Sequence, residues 1–153
     1  MENTVLEKFH QGRQSLGTFS AIGSPLAVES LRYTGLDYVI VDTEHSPAGI
    51  ESAAAQIAAA QGAGLTALAR ANEISRTAVL RLLDVGAQGV VVPCVETVEE
   101  VRELVRYAKF APLGNRGFCP TRDGGWGFDD ESLQGTETYF ARCNRETLLI
   151  PQC

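Results

Sequence analysis

Three ionisable side chains stand almost together in VIVDTEHSP, Val39 to Pro47: Asp42, Glu44 and His45. The apolar run before them reads as a buried strand. The trio therefore falls at a strand's C-terminal end, where parallel α/β sheets and barrels place their active sites. A histidine, whose unperturbed pKa is about 6.5, suits a proton shuttle. A plainer reading has Asp42 and Glu44 capping the next helix and His45 standing in solvent. Arg70 is the second pointer, because it ends the strand-like run TALAR where an apolar residue is expected. A guanidinium there can hold a carboxylate or enolate through a two-point fork, or pair with Asp42 or Glu44 across neighbouring strands. The two roles are compatible.

Asp84, in LLDVGAQGVVVP, sits at the end of an amphipathic helix, where the helix dipole disfavours an acid. Either it has a partner or it is simply exposed. Arg116 and Arg122 lie in a Gly-rich segment and are expected in solvent or at an interface, with anion contact as the alternative. Trp126, set between glycines, reads as an exposed aromatic anchor for a subunit partner or a pocket cover. Other signatures are missing: there is no GxxxxGK[ST] loop, no GxGxxG turn and no zinc spacing among two histidines and four scattered cysteines. Only Lys8 and Lys109 are lysines, and neither falls on a strand-like run, which disfavours Schiff-base chemistry.

The elements that must position these groups repeat. Strand-like runs at Ser15–Ala21, Asp37–Asp42, Thr66–Ala71 and Gly89–Val95 alternate with amphipathic helices. The first helix starts at Ser24-Pro25 and closes at Gly35, and the second runs from Gly49 to Gln61. Ser75 opens the third, and a Thr97/Glu100 capping box opens the fourth, whose stripe is expected to be Val98, Val101, Val105 and Ala108. At Pro112 the rhythm breaks into a segment with seven glycines or prolines, Pro112 included, before Asp129. A helix at Thr136–Asn144 and a fifth strand, Leu148–Gln152, follow. Such βα repeats predict an α/β fold, either an open doubly wound sheet or a (βα)8 barrel.

The 153 residues carry a net charge of -6, which argues against nucleic-acid or anionic-membrane partners. No run approaches the ~20 apolar residues of a membrane helix. The start MENTVLEKFHQGRQ lacks the pattern of a signal peptide, so a cytoplasmic protein with free thiols is expected.

DTEHSP at a strand end, the strand-ending arginine of LARA, LLDVGAQGVVVPCVET and GNRG, in this order, resemble the HpcH/HpaI aldolase family. The resemblance implies a (βα)8 TIM barrel of the phosphoenolpyruvate/pyruvate type, of which residues 1–153 would be the N-terminal part of a single domain, with about five of eight strands. It implies a metal-dependent pyruvate aldolase that reversibly cleaves a 4-hydroxy-2-oxo acid to pyruvate and an aldehyde, assembled as a homo-oligomer, usually a hexamer. His45 then matches the general base and Arg70 the residue that stabilises the pyruvate enolate. Asp84 matches the acid that raises the histidine's basicity, and Gln152 a substrate-binding residue. The divalent metal (Mg, Mn or Co) would have no ligand in this chain, since the family's Glu and Asp ligands are expected beyond Cys153. Asp42 and Glu44 are not read as a replacement site. Two alternatives stand beside this reading: a non-catalytic half-barrel serving as a structural or interaction module, and a citrate-lyase-type lyase acting on an acyl-CoA.

Overall fold

The computed structural model describes residues 3–153. Five strands, β1 (Gly17–Ser20), β2 (Tyr38–Asp42), β3 (Thr66–Arg70), β4 (Gly89–Val92) and β5 (Leu148–Pro151), form one sheet in the order β1-β2-β3-β4-β5. Every pairing is parallel. A doubly wound sheet reverses its strand order at a switch point, whereas this one advances without reversal, as a barrel does. Its helices also cover only one face. Val39, Val41, Ala67, Ala69, Val90 and Val92 point outward into the main core with Ile57, Leu83 and Leu104. The opposite, concave face carries Ile40, Leu68 and Val91 with Tyr38 and Leu148. The fold is therefore a partial (βα)8 barrel.

The helices begin where the sequence says they should. Ser24 caps α2 (Pro25–Ser30), and a 3-10 turn then runs to Gly35, whose φ of 80° ends it. The helix α3 (Ile50–Gly62) buries Ala53, Ile57 and Ala60 together with two glutamines. Gln56 accepts a hydrogen bond from the Ser20 hydroxyl at 2.8 Å, and Gln61 donates to the Gly86 carbonyl at 2.7 Å. Ser75 caps α4 (Arg76–Asp84), and the Thr97/Glu100 capping box opens α5 (Val98–Ala108).

Two expectations need correction. The buried face of α5 is built on Leu104 and Ala108, with Val101 packed beside them, while Val98 is 61% exposed as part of the capped first turn. The fourth strand stops at Val92 rather than Val95. Pro93 has no amide hydrogen to donate, and Cys94 takes a left-handed φ of 57°, so regular pairing cannot continue.

The Gly-rich segment forms a 3-10 turn (Arg122–Gly127), the short α6 (Asp130–Leu133) and then α7 (Thr136–Glu146). Trp126 is 62% exposed, as expected for an aromatic between glycines. An N-terminal helix, α1 (Thr4–His10), closes the foot of the sheet. Asn3 donates to the Glu146 carbonyl, the Thr4 amide donates to Thr66 Oγ1, and Lys8 pairs with Asp37 at 2.6 Å. No helix among the described residues is long and apolar enough to cross a membrane.

The concave face tolerates no side chain at Gly89. A Cβ there would lie 2.6 Å from Leu148 Cβ and 2.9 Å from both the Leu148 carbonyl oxygen and Leu68 Cδ2. Since a backbone atom is among the obstacles, rotamer changes cannot clear the space. Gly89→Ala is expected to cost about 1–3 kcal/mol, as overpacking does, read as a lower urea midpoint at unchanged slope.

Candidate active site

Side chains alternate along a strand, so the residues that share the concave face can be counted out from Ile40 and Leu68. Two residues on, they are Asp42 and Arg70, which are also register partners at the C-terminal ends of β2 and β3. The sequence thus forces these two onto the same face and the same edge. Arg70 grips Asp42 with a two-point fork: Nε donates to Oδ1 at 3.0 Å and Nη2 to Oδ2 at 2.6 Å. Asp42 Oδ1 also accepts the amides of Glu44 at 2.9 Å and His45 at 3.2 Å. The carboxylate thus fixes the turn that carries the other two groups. Burial opposes ionisation of Asp42, but the Arg70 guanidinium and the two amides outweigh it and hold the carboxyl below its ordinary value. The hydrogen bonds from Arg70 to Asp42 in turn raise the arginine's pKa against the effect of its own burial.

Phe19 of β1 lies against the guanidinium, its ring centre 4.8 Å from Arg70 Cζ. Thr43 donates to the Arg70 carbonyl at 2.6 Å, tying the turn to β3. The third guanidinium nitrogen, Nη1, stands 3.2 Å from Glu44 Oε2. That contact is close enough for an ion pair, yet Oε2 is buried and accepts no aligned hydrogen bond. Glu44 Oε1 lies 3.6 Å from His45 Nε2, and the imidazole is 71% exposed. A half-open cleft of about 350 Å3 runs below this edge, lined by Phe19, Tyr38, Ile40, Leu68, Val91 and Gln152 among others. Gln152 is held there by its backbone, which donates to Val92 at 2.8 Å and accepts from Val95 at 3.0 Å.

The structure therefore brings together Asp42, Glu44, His45 and Arg70, while Gln152 lines the neighbouring cleft, which reaches this group only through Phe19. Asp84 departs from its expected neighbourhood within this one chain. The helix α4 runs back from the strand ends toward the foot of β4, and Asp84 is its last residue. Its partner is Arg116, 2.9 Å away, so within this chain it is not brought to His45. Arg116 overturns its expectation too. Instead of standing in solvent it is buried, with Nη2 shared between Asp84 and Asp123 at 2.9 and 3.2 Å, and Phe110 beneath its plane. Asp123 also accepts the Tyr139 hydroxyl at 2.9 Å. No signal in the sequence joins positions 84, 116 and 123, because the contact is made by tertiary folding alone.

Neither lysine reaches the site. Lys8 is committed to Asp37, and Lys109 donates to the carbonyls of Asn144 and Thr147 at 2.9 and 2.6 Å. A divalent ion finds no fitting donor set. Both oxygens of Asp42 are taken by Arg70 and backbone amides, Glu44 is divided between Arg70 and His45, and no group of three or more His, Cys, Asp or Glu residues suited to a metal occurs among the described residues.

A parallel βα array with a histidine and a braced arginine gathered at adjacent strand ends has the form of a barrel enzyme. Sequence comparison gives the family. The chain belongs to the HpcH/HpaI aldolase/citrate lyase family, whose profile matches residues 15–152. It is 34% identical to the hydroxypyruvate/pyruvate aldolase of Roseovarius nubinhibens over 75% of this chain and 45% of that protein. It is 28% identical to the 4-hydroxy-2-oxovalerate aldolase of Novosphingobium aromaticivorans over 98% of this chain and 55% of that one. Among solved structures, the HpcH/HpaI aldolase from Desulfitobacterium hafniense superposes with a TM-score of 0.85 at 30% identity, covering 96% of this chain and 55% of that one. The chain spans about half the length of the curated relatives it matches. Those relatives are named aldolases, which are lyases of carbon-carbon bonds.

Proposed function

We propose that this chain is the N-terminal part of one barrel domain of a pyruvate aldolase and supplies its proton-transfer and enolate-binding groups. The reaction is the reversible cleavage of a 4-hydroxy-2-oxo acid to pyruvate and an aldehyde. The observation that supports it is the braced Arg70, mostly enclosed at a strand end beside an exposed histidine. Cleaving the bond next to a carbonyl leaves an enolate, and a preorganised guanidinium is suited to holding that charge. Asp42 fixes the guanidinium before substrate arrives, so little reorganisation is left for the reacting state. His45, reachable from solvent on the same turn, moves the proton between the substrate's hydroxyl and the medium. Gln152, on the cleft wall, contacts the substrate. Asp84 is given no acid role here, since within one chain it pairs with Arg116. A divalent ion and a homo-oligomer belong to the whole enzyme in this reading. Asp42 and Glu44, engaged by Arg70, do not fit that ion.

The test pairs pyruvate binding, followed by NMR, with pyruvate-aldehyde condensation by the 153-residue chain, with and without added Mg or Mn. Pyruvate should shift the Arg70 side-chain signals, with weaker binding in Arg70→Lys, and the chain by itself should show no condensation with or without metal. Metal-independent turnover, or pyruvate binding indifferent to Arg70→Lys, overturns the proposal.

A further inference from the structure

Arg70 has few places left for a ligand. Asp42 takes the Nε hydrogen and one on Nη2, and Phe19 lies over the guanidinium plane. What remains is the end edge, the second Nη2 hydrogen and the two on Nη1, and Glu44 Oε2 already stands at Nη1 at 3.2 Å. This contact has an unusual character. The oxygen is buried, where an acceptor without a hydrogen bond is costly, yet it is not aligned to receive one from the nitrogen it faces. Asp42, two residues earlier, shows what a settled carboxylate looks like here, with aligned donors on both oxygens. Glu44 is poorly anchored by comparison. Its other oxygen faces His45 Nε2 at 3.6 Å, beyond ordinary hydrogen-bond length.

We infer that Glu44 is a displaceable stand-in for the substrate's anionic group: it covers the open edge of Arg70 in the free protein, and the 2-oxo acid must move it aside to bind. This rests on the reading of Arg70 as the anchor of that acid. The space for the motion lies toward His45, whose imidazole is mostly in solvent. Moving that way brings the carboxylate closer to Nε2, so the arrival of substrate on the arginine also gives the histidine a carboxylate neighbour. Glu44 is a positioning residue in this account and takes over, within one chain, the contact that Asp84 does not make. The charged and titratable groups facing Glu44 are the Arg70 guanidinium and the His45 imidazole, with the Asp42 carboxylate behind the arginine.

The sign of one measurement separates this role from a merely structural one. A glutamate that only supported the turn would weaken ligand binding when replaced. A competitor for Nη1 must instead strengthen it when its charge is removed. Oxalate, a stable planar mimic of the pyruvate enolate, serves as the probe, titrated into the chain and followed through the Arg70 Nε–Hε resonance and by calorimetry. Glu44→Gln is expected to bind oxalate about tenfold tighter than the unsubstituted protein at low salt, and Glu44→Ala should also gain. Equal or weaker binding by both variants overturns the inference while leaving Arg70 as the anchor. Failure of all three proteins to bind oxalate overturns the anchor and the inference together.

Discussion

Asp42→Ala is expected to destabilise the fold by about 3–5 kcal/mol, because it takes the aligned acceptor from a mostly enclosed guanidinium and leaves only the unaligned Glu44 carboxylate beside it. Arg70 is only 12% exposed at its side chain, and two of its nitrogens donate to Asp42. The loss extends past the ion pair. The amides of Glu44 and His45 lose their shared acceptor, so the DTEHSP turn loosens and the histidine loses its fixed place. Asp42→Asn is the informative companion. It keeps the shape and one acceptor oxygen but not the charge, so it should recover part of the stability and little of the arginine's alignment. Chemical denaturation of the three proteins at equal slope measures the first effect, and the Arg70 Nε–Hε resonance reports the second. The acid limb of stability follows the same pair. Asp42's folded pKa lies below its unfolded value near 3.8, so its contribution is complete above that value and is lost as pH falls through the folded pKa. Asp37, lowered chiefly by its hydrogen bond with Lys8, adds to the same window. Acid unfolding should therefore begin below about pH 4, and in Asp42→Asn the slope of stability against pH should flatten there.

That pair was legible in part. The sequence offered Arg70 either an anion or a partner in Asp42 or Glu44 across neighbouring strands, and the register that sets Asp42 opposite Arg70, with a period of two along each strand, puts the two on one face. The caps at Ser24, Ser75 and Thr97 were more fully legible because a cap is local, decided within three or four residues. What could not be read were contacts between distant segments. Val98 has the spacing of a core residue, but whether α5 turns Val98 or Leu104 inward depends on the angle at which it meets α4. Composition left open the choice between barrel and doubly wound sheet, since both use the same βα units, and only the strand order settled it. Within the site, the spacing of Glu44 and His45 placed them at the strand end. Which nitrogen of Arg70 the glutamate faces depends on how Asp42 has already engaged the fork.

Arg116 is the clearest case of a role set wholly by tertiary folding, and its replacement should be about as damaging as that of Asp42. The side chain is 1% exposed, and one nitrogen serves two acids, Asp84 from the end of α4 and Asp123 from the 3-10 turn. Its Nε and Nη1 find no hydrogen-bond partner, so the arginine carries an unpaid desolvation cost and is held by charge and by the Phe110 ring 4.7 Å away. Removing it alone, as in Arg116→Met, takes the ion-pair partner from Asp123, which stays beside Tyr139 and Cys143 with only the farther charge of Arg142, already paired with Glu131, at an expected cost of about 3–5 kcal/mol. Burial, followed by the Asp123 charge, already pushes the Tyr139 hydroxyl far up and the Cys143 thiol to about 11, which shows how strongly this pocket resists a further negative charge. The reasoning also predicts a rescue. Adding Asp84→Asn and Asp123→Asn to Arg116→Met removes the stranded charges, so the triple variant should regain much of the loss and be more stable than Arg116→Met alone. Urea midpoints across that series decide the matter. If the triple variant is no better than the single one, Arg116 acts through its packing on Phe110, and the two acids are incidental to how the Gly-rich segment is held against the barrel.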